Sequence, residues 1–289
     1  MKYRDRFGNT TIKTDFQEKL IESLYSNVIG RAILKPLTAP AVSKFLSGAL
    51  NHKVSCVIIN PFIKSNGINM DDYETADYNS YNDFFIRQIK SGKRTFDMSP
   101  NALVSPSDGK ATVYKIDKAQ TFRIKNTSYT VSSLLKNDSL SEEFCGGMCI
   151  VIRLSVDNYH RYCYPDNAVK SENVFIPGKL HTVNPIAFEY DQVFKENSRE
   201  YCILETENFG RIVQMEVGAL MVGKIVNYHQ AKSVKKGEEK GHFEFGGSTI
   251  VLLLKKDSVD VDNDIIQNSA ENFETVVKMG EKIASKLAF

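Results

Sequence analysis

The sequence predicts an α+β fold, in which a helical N-terminal segment is followed by a mostly antiparallel, β-rich domain of the sandwich or barrel-like type. Two patterns predict it. Apolar residues recur at helical spacing early in the chain, as at Phe16, Leu20 and Leu24, whereas the later part consists of short runs rich in Val, Ile, Thr and Tyr. We therefore divide the chain into a helical N-terminal region, residues 1–98, and a β-rich domain, residues 99–289.

Helices are expected at three places in the first region. Helical periodicity covers residues 15–30 and resumes over residues 41–50, after two prolines that interrupt it. A third helix is expected to begin at Tyr81, because the Ser80 hydroxyl can accept a hydrogen bond from a free backbone amide of the first turn.

Seven strands are expected in the β-rich domain, separated by turn signals such as Asp108-Gly109. They cover residues 111–116, 148–154, 173–176, 201–205, 211–217, 219–226 and 249–254. A helix is expected near residues 131–136, and the tail over residues 263–289 is expected to be partly helical.

Composition restricts the class of protein. With 289 residues, 42% of them hydrophobic, the chain can bury a sizeable core. Its net charge of +2 gives no reason to expect nucleic acid as a partner. The longest apolar runs, such as residues 250–254, are far shorter than the ~20 residues that span a bilayer. The odd number of cysteines favours a reducing compartment.

Positive charge is concentrated near the start of the chain. Residues 1–50 hold eight Lys or Arg and four Asp or Glu, a net charge of +4 that leaves −2 for the remainder. A basic amphipathic helix can lie on an anionic membrane surface, so we expect residues 1–98 to associate peripherally with the cytoplasmic face of the cell membrane. A helix packed on its own domain is the alternative.

A glycine pair precedes a serine at the start of the last predicted strand, in the stretch Phe245-Gly246-Gly247-Ser248-Thr249. Glycine leaves its carbonyl unshielded and tolerates unusual backbone angles, so the Ser248 hydroxyl can attack the Gly247 carbonyl in a strained turn. The alternative is a glycine turn that introduces a strand.

Three residues elsewhere offer groups that can assist such a serine. Asp108 lies on an Asp-Gly turn, where a carboxylate can orient a histidine or belong to a simple hairpin. His160 follows a predicted strand, and His181 lies in a stretch that we expect to be a strand. An imidazole titrates near neutral pH and moves protons in either direction, but a structural hydrogen bond is the alternative role for each histidine.

No metal is expected. Cys145, Cys149, His160 and Cys163 are candidate zinc ligands, but three residues separate the first pair and Cys149 begins an apolar strand. The chain also has no phosphate-binding glycine loop and no Gly-x-Ser-x-Gly elbow.

Six segments, in order, resemble motifs of the phosphatidylserine decarboxylase family, whose members are pyruvoyl-dependent, self-processing lipid enzymes. The segments are Tyr81-Asn82-Asp83-Phe84-Phe85-Ile86-Arg87, Ser105-Pro106-Ser107-Asp108-Gly109-Lys110, Asn158-Tyr159-His160-Arg161, Val183-Asn184-Pro185, Glu216-Val217-Gly218-Ala219 and Phe245-Gly246-Gly247-Ser248-Thr249. Each motif is weak alone, but their order and their spread over most of the chain make the resemblance specific.

The resemblance implies a mechanism. Ser248 attacks the Gly247 carbonyl, and elimination and hydrolysis then divide the precursor between Gly247 and Ser248 into a large and a small chain. The former serine becomes a pyruvoyl (pyruvate) cofactor, whose ketone forms a Schiff base with phosphatidylserine and yields phosphatidylethanolamine and carbon dioxide. By the same resemblance, Asp108 belongs to the cleavage relay and His160 donates a proton during decarboxylation. Phosphatidylserine in anionic membranes is the implied partner, and a homodimer is compatible with it.

One position departs from the family pattern. The family usually has a second histidine three residues after the first, as the base for cleavage, and this chain has Cys163 there. A thiol is a poorer partner for a carboxylate, so either another base substitutes or cleavage is impaired. We expect His181 to compensate, and the alternative is that His160 serves both roles.

Two other functions remain as alternatives. An N-terminal-nucleophile hydrolase would keep Ser248 as a free N-terminal serine after cleavage. An unprocessed, inactive membrane-surface homologue would stay one intact chain because of Cys163.

Overall fold

A computed structural model describes residues 2–12, 30, 38, 42, 48–124, 127–182, 193–219, 224–246 and 248–287. The strands are β1 (Lys2–Arg4), β2 (Thr10–Ile12), β3 (Ala102–Val104), β4 (Gly109–Lys115), β5 (Thr121–Ile124), β6 (Thr127–Thr130), β7 (Met148–Leu154), β8 (Arg161–Cys163), β9 (Ala168–Lys170), β10 (Val174–Ile176), β11 (Arg199–Thr206), β12 (Gly210–Gly218), β13 (Ile225–Asn227), β14 (Lys232–Val234), β15 (Glu239–Phe243), β16 (Ser248–Leu254), β17 (Val259–Val261), β18 (Glu274–Val277) and β19 (Lys282–Lys286). The helices are α1 (Ile59–Asn66), α2 (Tyr81–Phe85), α3 (Val131–Leu135), α4 (Asp138–Glu142), α5 (Val193–Glu196) and α6 (Asn263–Ala270), with short 3-10 helices at Lys53–Ile58 and Met70–Asp72.

One large sheet organises these elements. Its strand order is β14-β9-β11-β12-β16-β7-β4-β18-β1-β2, and β10 also pairs with β11. Among the described strands, β1 and β18 run parallel and the other paired strands of this sheet run antiparallel. The sheet ends at β14 and β2 and does not close on itself, so the predicted mostly antiparallel, β-rich fold is confirmed in an open form.

Strand β16 lies at the centre of this sheet, and both of its faces are buried. Val251 and Leu253 pack into one core with residues of α3 and α4. Ile250 and Leu252 pack into a second core, which the smaller sheets β13-β15-β8 and β17-β19-β3 cover. Because successive side chains of a strand point to opposite faces, a strand covered on both sides needs an unbroken apolar run.

Most strand predictions are confirmed within a few residues. The strand expected over residues 219–226 is shorter than predicted, because β13 begins at Ile225, while residues 220–223 lie outside the described residues. The tail contains the helix α6 but then two strands, β18 and β19, which helical periodicity did not predict. The helix after Ser80 is confirmed, and the Ser80 hydroxyl accepts the Asp83 amide hydrogen at 3.0 Å.

The N-terminal region is only partly described. Residues 15–29 and about half of residues 41–50 lie outside the described residues. The described positions of these two predicted helices, residues 30, 42 and 48–50, are helical, but the division into two regions stays a prediction. The first described residues are strands, and β1 pairs with β18 of the large sheet. No helix within the described ranges is long and apolar enough to cross a membrane.

Candidate active site

Ser248 is the first residue of β16 and lies between two strands. It is paired with Gly218 of β12 on one side and with Leu154 of β7 on the other. Its side chain is completely buried, and its hydroxyl has no hydrogen-bond partner among the described residues. A buried polar group without a partner costs free energy, so such groups often mark a functional site.

The turn that leads into Ser248 is held by hydrogen bonds to residues distant in sequence. The Phe243 amide donates to the His160 carbonyl at 2.9 Å, and the Phe245 amide donates to Asn82 Oδ1 at 2.9 Å. Gly246 follows with a φ of 138°, in a region that residues with a side chain rarely adopt. The predicted need for glycine in this turn is therefore confirmed at Gly246, while Gly247 lies outside the described residues.

Helix α2 forms an aromatic wall around this turn. The Phe245 ring packs edge-on against the rings of Tyr81 and Phe85, at 5.1 Å between centroids in both cases. Phe85 also covers the His160 ring, with 4.1 Å between centroids. Asn82 donates through Nδ2 to Asn51 Oδ1 at 3.0 Å, which fixes the orientation of its acceptor toward Phe245. The sequence indicates this segment through its resemblance to a family motif, but no local pattern indicates a role for Asn82.

His160 is fully buried and has the tautomer of a base. Its Nδ1 lies 2.9 Å from the Asn158 carbonyl oxygen, which can only accept, so Nδ1 carries the proton. Burial, with a smaller effect of the nearby Arg87 cation, lowers the pKa of His160 to about 3, against the opposing effects of the Asn158 and Gly246 backbones. The ring is therefore neutral at pH 7, and Nε2 presents a lone pair with no partner of hydrogen-bond geometry in the described chain.

Asp108 is bound by an arginine and by the main chain. Arg94 donates to both of its carboxylate oxygens, through Nε at 2.9 Å and Nη2 at 2.5 Å. The Met279 amide donates to Oδ1 at 2.9 Å. The structure therefore joins Asp108 to Arg94, a residue that the sequence did not indicate, because arginines are too common for one to be singled out by pattern.

Cys163 is a neutral, buried thiol. Burial raises its pKa, and the charges of Glu239 and Asp108 raise it further, so the repulsion expected between a thiolate and Asp108 does not arise at neutral pH. Its main chain is fixed by a hydrogen bond from its amide to the Pro106 carbonyl at 2.9 Å. A cavity of about 330 Å³ lies beside Cys163 and is also lined by Tyr159.

The backbone of His181 is connected to the strand beside Ser248 by the side chain of Asn197. It is not in a strand, contrary to the prediction, because Asn197 binds its amide and its carbonyl at 2.8 Å each and replaces a partner strand. Asn197 also donates to the carbonyl of Gly218, the residue paired with Ser248, at 2.7 Å. The His181 imidazole is 3.6 Å from the Glu196 carboxylate, measured from Nε2 to Oε2.

A buried ion pair lies on the same face of the sheet as Ser248. Glu216 is paired with Ile250, two residues after Ser248, so the three side chains point to one side. Lys240 Nζ is 2.6 Å from Glu216 Oε2, and it donates to Asn227 Oδ1 at 2.6 Å. Burial raises the pKa of Glu216, against the opposing effect of Lys240.

The four candidate zinc ligands are not grouped around one point. Cys145 donates to the Lys118 carbonyl at 3.2 Å, and Cys149 lies in the first core. Within the described residues, no three His, Cys, Asp or Glu side chains are grouped to hold a metal ion.

Comparison with known proteins shows what this site belongs to. The family model described as phosphatidylserine decarboxylase matches residues 81–285. The chain belongs to the phosphatidylserine decarboxylase family. It is 45% identical, over 95% of its length and 96% of the relative's, to phosphatidylserine decarboxylase proenzyme 2 of Clostridium acetobutylicum. Two phosphatidylserine decarboxylase proenzymes of Clostridium botulinum are similar. That of strain Alaska E43 is 40% identical over 93% of both chains, and that of strain 657 is 38% identical over 98% of both chains.

Family membership bears on the alternatives. The relatives carry the name proenzyme, which fits a chain that is processed before it acts. Neither an N-terminal-nucleophile hydrolase nor an inactive homologue is favoured by these matches. The matched range, residues 81–285, includes helix α2, Asp108, His160 and the turn before Ser248.

Proposed function

We propose that this chain is a self-processing phosphatidylserine decarboxylase. It cleaves itself between Gly247 and Ser248, converts Ser248 into a pyruvoyl group, and then converts phosphatidylserine into phosphatidylethanolamine and carbon dioxide. One observation carries the cleavage step: the Ser248 hydroxyl and His160 Nε2 are both buried beside the same turn, and neither has a hydrogen-bond partner among the described residues.

In the cleavage step, His160 is the first candidate for the base. Its Nε2 takes the hydroxyl proton and the Ser248 oxygen bonds to the Gly247 carbonyl carbon. The bond from that carbon to the Ser248 nitrogen then breaks as His160 passes the proton to that nitrogen. The resulting ester is eliminated when residue 248 loses its Cα proton and Gly247 leaves as a carboxylate. Water then replaces the nitrogen, which leaves as ammonia. A neutral imidazole suits this role, since a protonated ring has no lone pair to accept the hydroxyl proton.

His181 is the second candidate for the base. The Asn197 amide connects its backbone to Gly218, which is paired with Ser248. Its imidazole Nε2 lies 3.6 Å from Oε2 of the Glu196 carboxylate. Asp108 supports cleavage indirectly in this proposal, because it binds Arg94 and the Met279 main chain, which lies beside Cys163.

The residues around position 248 fit a pyruvoyl group. The Ser248 hydroxyl makes no hydrogen bond with the described residues that its conversion would break, and Gly218, its partner on the neighbouring strand, has no side chain. Once formed, the group supplies a ketone that accepts electrons as carbon dioxide leaves. The aromatic wall of Tyr81, Phe85 and Phe245 excludes water from this side of the site. During decarboxylation, in a step separate from cleavage, His160 is the proposed proton donor to the carbon that loses the carboxylate.

The proposal also covers the two chains that cleavage produces and the membrane on which the enzyme acts. The products of cleavage are a large chain, residues 1–247, and a small chain, residues 248–289. The enzyme acts peripherally on anionic membranes that contain phosphatidylserine, at the cytoplasmic face of the cell membrane, and a homodimer is compatible with this. The net charge of +4 in residues 1–50 supports attraction to such a surface. We expect the protein to sediment with phosphatidylserine vesicles and much less with neutral vesicles or at high salt.

Intact mass of the purified protein is the decisive experiment. We expect two chains whose boundary is Gly247–Ser248, with the small chain lighter than its serine form by one ammonia. A small chain with a free N-terminal serine would favour the hydrolase, and one uncut chain would favour the inactive homologue. The Ser248→Ala protein should stay uncut and release no carbon dioxide from phosphatidylserine. His160→Asn and His181→Ala, compared for the rate of splitting, decide which histidine is the base.

A further inference from the structure

Arg87 is a buried cation that the proposed mechanism does not use. It is 2% exposed and follows helix α2, whose other side chains surround the cleavage turn. Its Nη1 donates to the Phe84 carbonyl and its Nη2 to the Tyr73 hydroxyl, both at 3.4 Å, which is the long limit of a hydrogen bond. Its Nε has no partner, and no carboxylate among the described residues forms an ion pair with it.

Other buried arginines of this chain are well satisfied. Arg199 donates to four backbone carbonyls at 2.7 to 2.9 Å. Arg153 holds the Glu274 carboxylate through two bonds of 2.7 and 2.6 Å, and Arg94, which is only partly buried, holds Asp108 in the same bidentate way. Arg87 has the same five donors but makes two long bonds. Its environment therefore differs in kind from that of a structural arginine.

Two aromatic rings keep the Arg87 guanidinium in place. Its central carbon is 4.3 Å from the centroid of the Tyr73 ring and 4.8 Å from that of Phe84. Such contacts stabilise a cation but leave its N–H donors unused. A buried charge without a counter-charge is costly, so arginines of this kind are commonly completed by an anionic ligand.

The position of Arg87 relates it to the reacting groups. Phe84, which contacts the guanidinium, is adjacent in sequence to Phe85, which covers the His160 ring. Arg87 also lies close enough to contribute to the low pKa of His160. A ligand anion on Arg87 would therefore place the rest of its molecule close to His160.

We propose that Arg87 binds an anionic oxygen group of the phospholipid headgroup. This inference rests on the proposed function. Phosphatidylserine offers two such groups, its phosphodiester and its carboxylate, and either suits the planar fork of a guanidinium. In the uncut chain Phe245 packs on helix α2, and cleavage after Gly247 gives this segment a free end two residues beyond Phe245. The headgroup reaches Arg87 when that end moves aside.

The test compares the cleaved forms of Arg87→Met, Arg87→Lys and Tyr73→Phe with the cleaved parent. Tyr73→Phe is the matched control, because it removes one hydrogen-bond acceptor of Arg87 but keeps the charge and the ring. For Arg87→Met we expect KM for phosphatidylserine in mixed micelles to rise about ten- to hundredfold, since a hydrogen-bonded charge contact is lost. We expect kcat to change much less, an intermediate KM for Arg87→Lys, and a KM near the parent's for Tyr73→Phe.

Product inhibition by phosphatidylethanolamine distinguishes the two anionic groups. This lipid keeps the phosphodiester and lacks the carboxylate, so weaker inhibition of Arg87→Met assigns the contact to the phosphodiester. Unchanged inhibition with a raised KM assigns it to the carboxylate. An unchanged KM in Arg87→Met, or in Arg87→Lys if the first variant does not accumulate, would overturn the proposal. So would folded variants that both fail to split. A parent protein that splits but does not decarboxylate would refute the proposed function instead.

Discussion

Acid should destabilise this protein through His160. The pKa of His160 is about 3 in the folded chain, because burial penalises the charged ring, against 6.5 for an exposed histidine. Between these values the unfolded chain binds a proton that the folded chain does not, so the free energy of unfolding falls as pH falls. One pKa unit corresponds to about 1.4 kcal/mol, and lowering the pH from 7.5 to 5.0 should therefore cost about 2 kcal/mol from His160 alone.

The assay is urea unfolding of an uncut chain at both pH values. Ser248→Ala provides a single chain, and Ser248→Ala/His160→Asn removes the titrating ring while its amide can still donate to the Asn158 carbonyl. His242, whose pKa is lowered to about 4 by burial, titrates in the same range, but it is present in both proteins and cancels in the comparison. The parent should lose about 2 kcal/mol more than the double variant on acidification. Equal losses would show that His160 is not held neutral by burial.

Three further outcomes are expected. If His160 is the base, the rate of self-cleavage should stay level from pH 8 to pH 5, whereas a base with an ordinary histidine pKa would lose about thirtyfold. Asn82→Leu should slow the appearance of the small chain about tenfold, because the Phe245 amide loses its hydrogen-bond acceptor. Asn82→Asp keeps that acceptor and should split near the normal rate. Equal rates for the two variants would show that this hydrogen bond does not contribute to cleavage. Cys163→Ala should still split, because the thiol is neutral and buried, and a chain that stays whole would make Cys163 a participant.

The sequence was informative where burial leaves a pattern. The central strands are recognisable because a strand that is buried on both faces, such as β16, consists of a continuous apolar run, which here ends at Leu254. The Ser80 cap and the glycine turn follow equally local rules, so their prediction needed no knowledge of the fold. Strands β18 and β19 were missed, since their short runs are stabilised by pairing with strands far away in sequence.

The hydrogen-bond partners of the candidate residues could not be predicted from the sequence, because they too are distant along the chain. Nothing in the sequence indicates that Arg94 donates to both carboxylate oxygens of Asp108. Nor does it indicate that Asn82 accepts a hydrogen bond from the Phe245 amide, more than a hundred residues later. His181 was expected in a strand, but a single side chain, Asn197, binds its backbone instead. Such contacts depend on the three-dimensional path of the chain, which local patterns do not encode.

The interleaving of the last 42 residues has a consequence for the mature protein. The segment that begins at Ser248 supplies β16 between β12 and β7, β18 between β4 and β1, and β19 beside β3. A cut before Ser248 would turn these pairings from contacts within a chain into contacts between two molecules. Unfolding would then release two fragments, so the melting temperature would rise with protein concentration and refolding would need a bimolecular encounter. The precursor folds as one chain, and the mature form would depend on slow unfolding to persist.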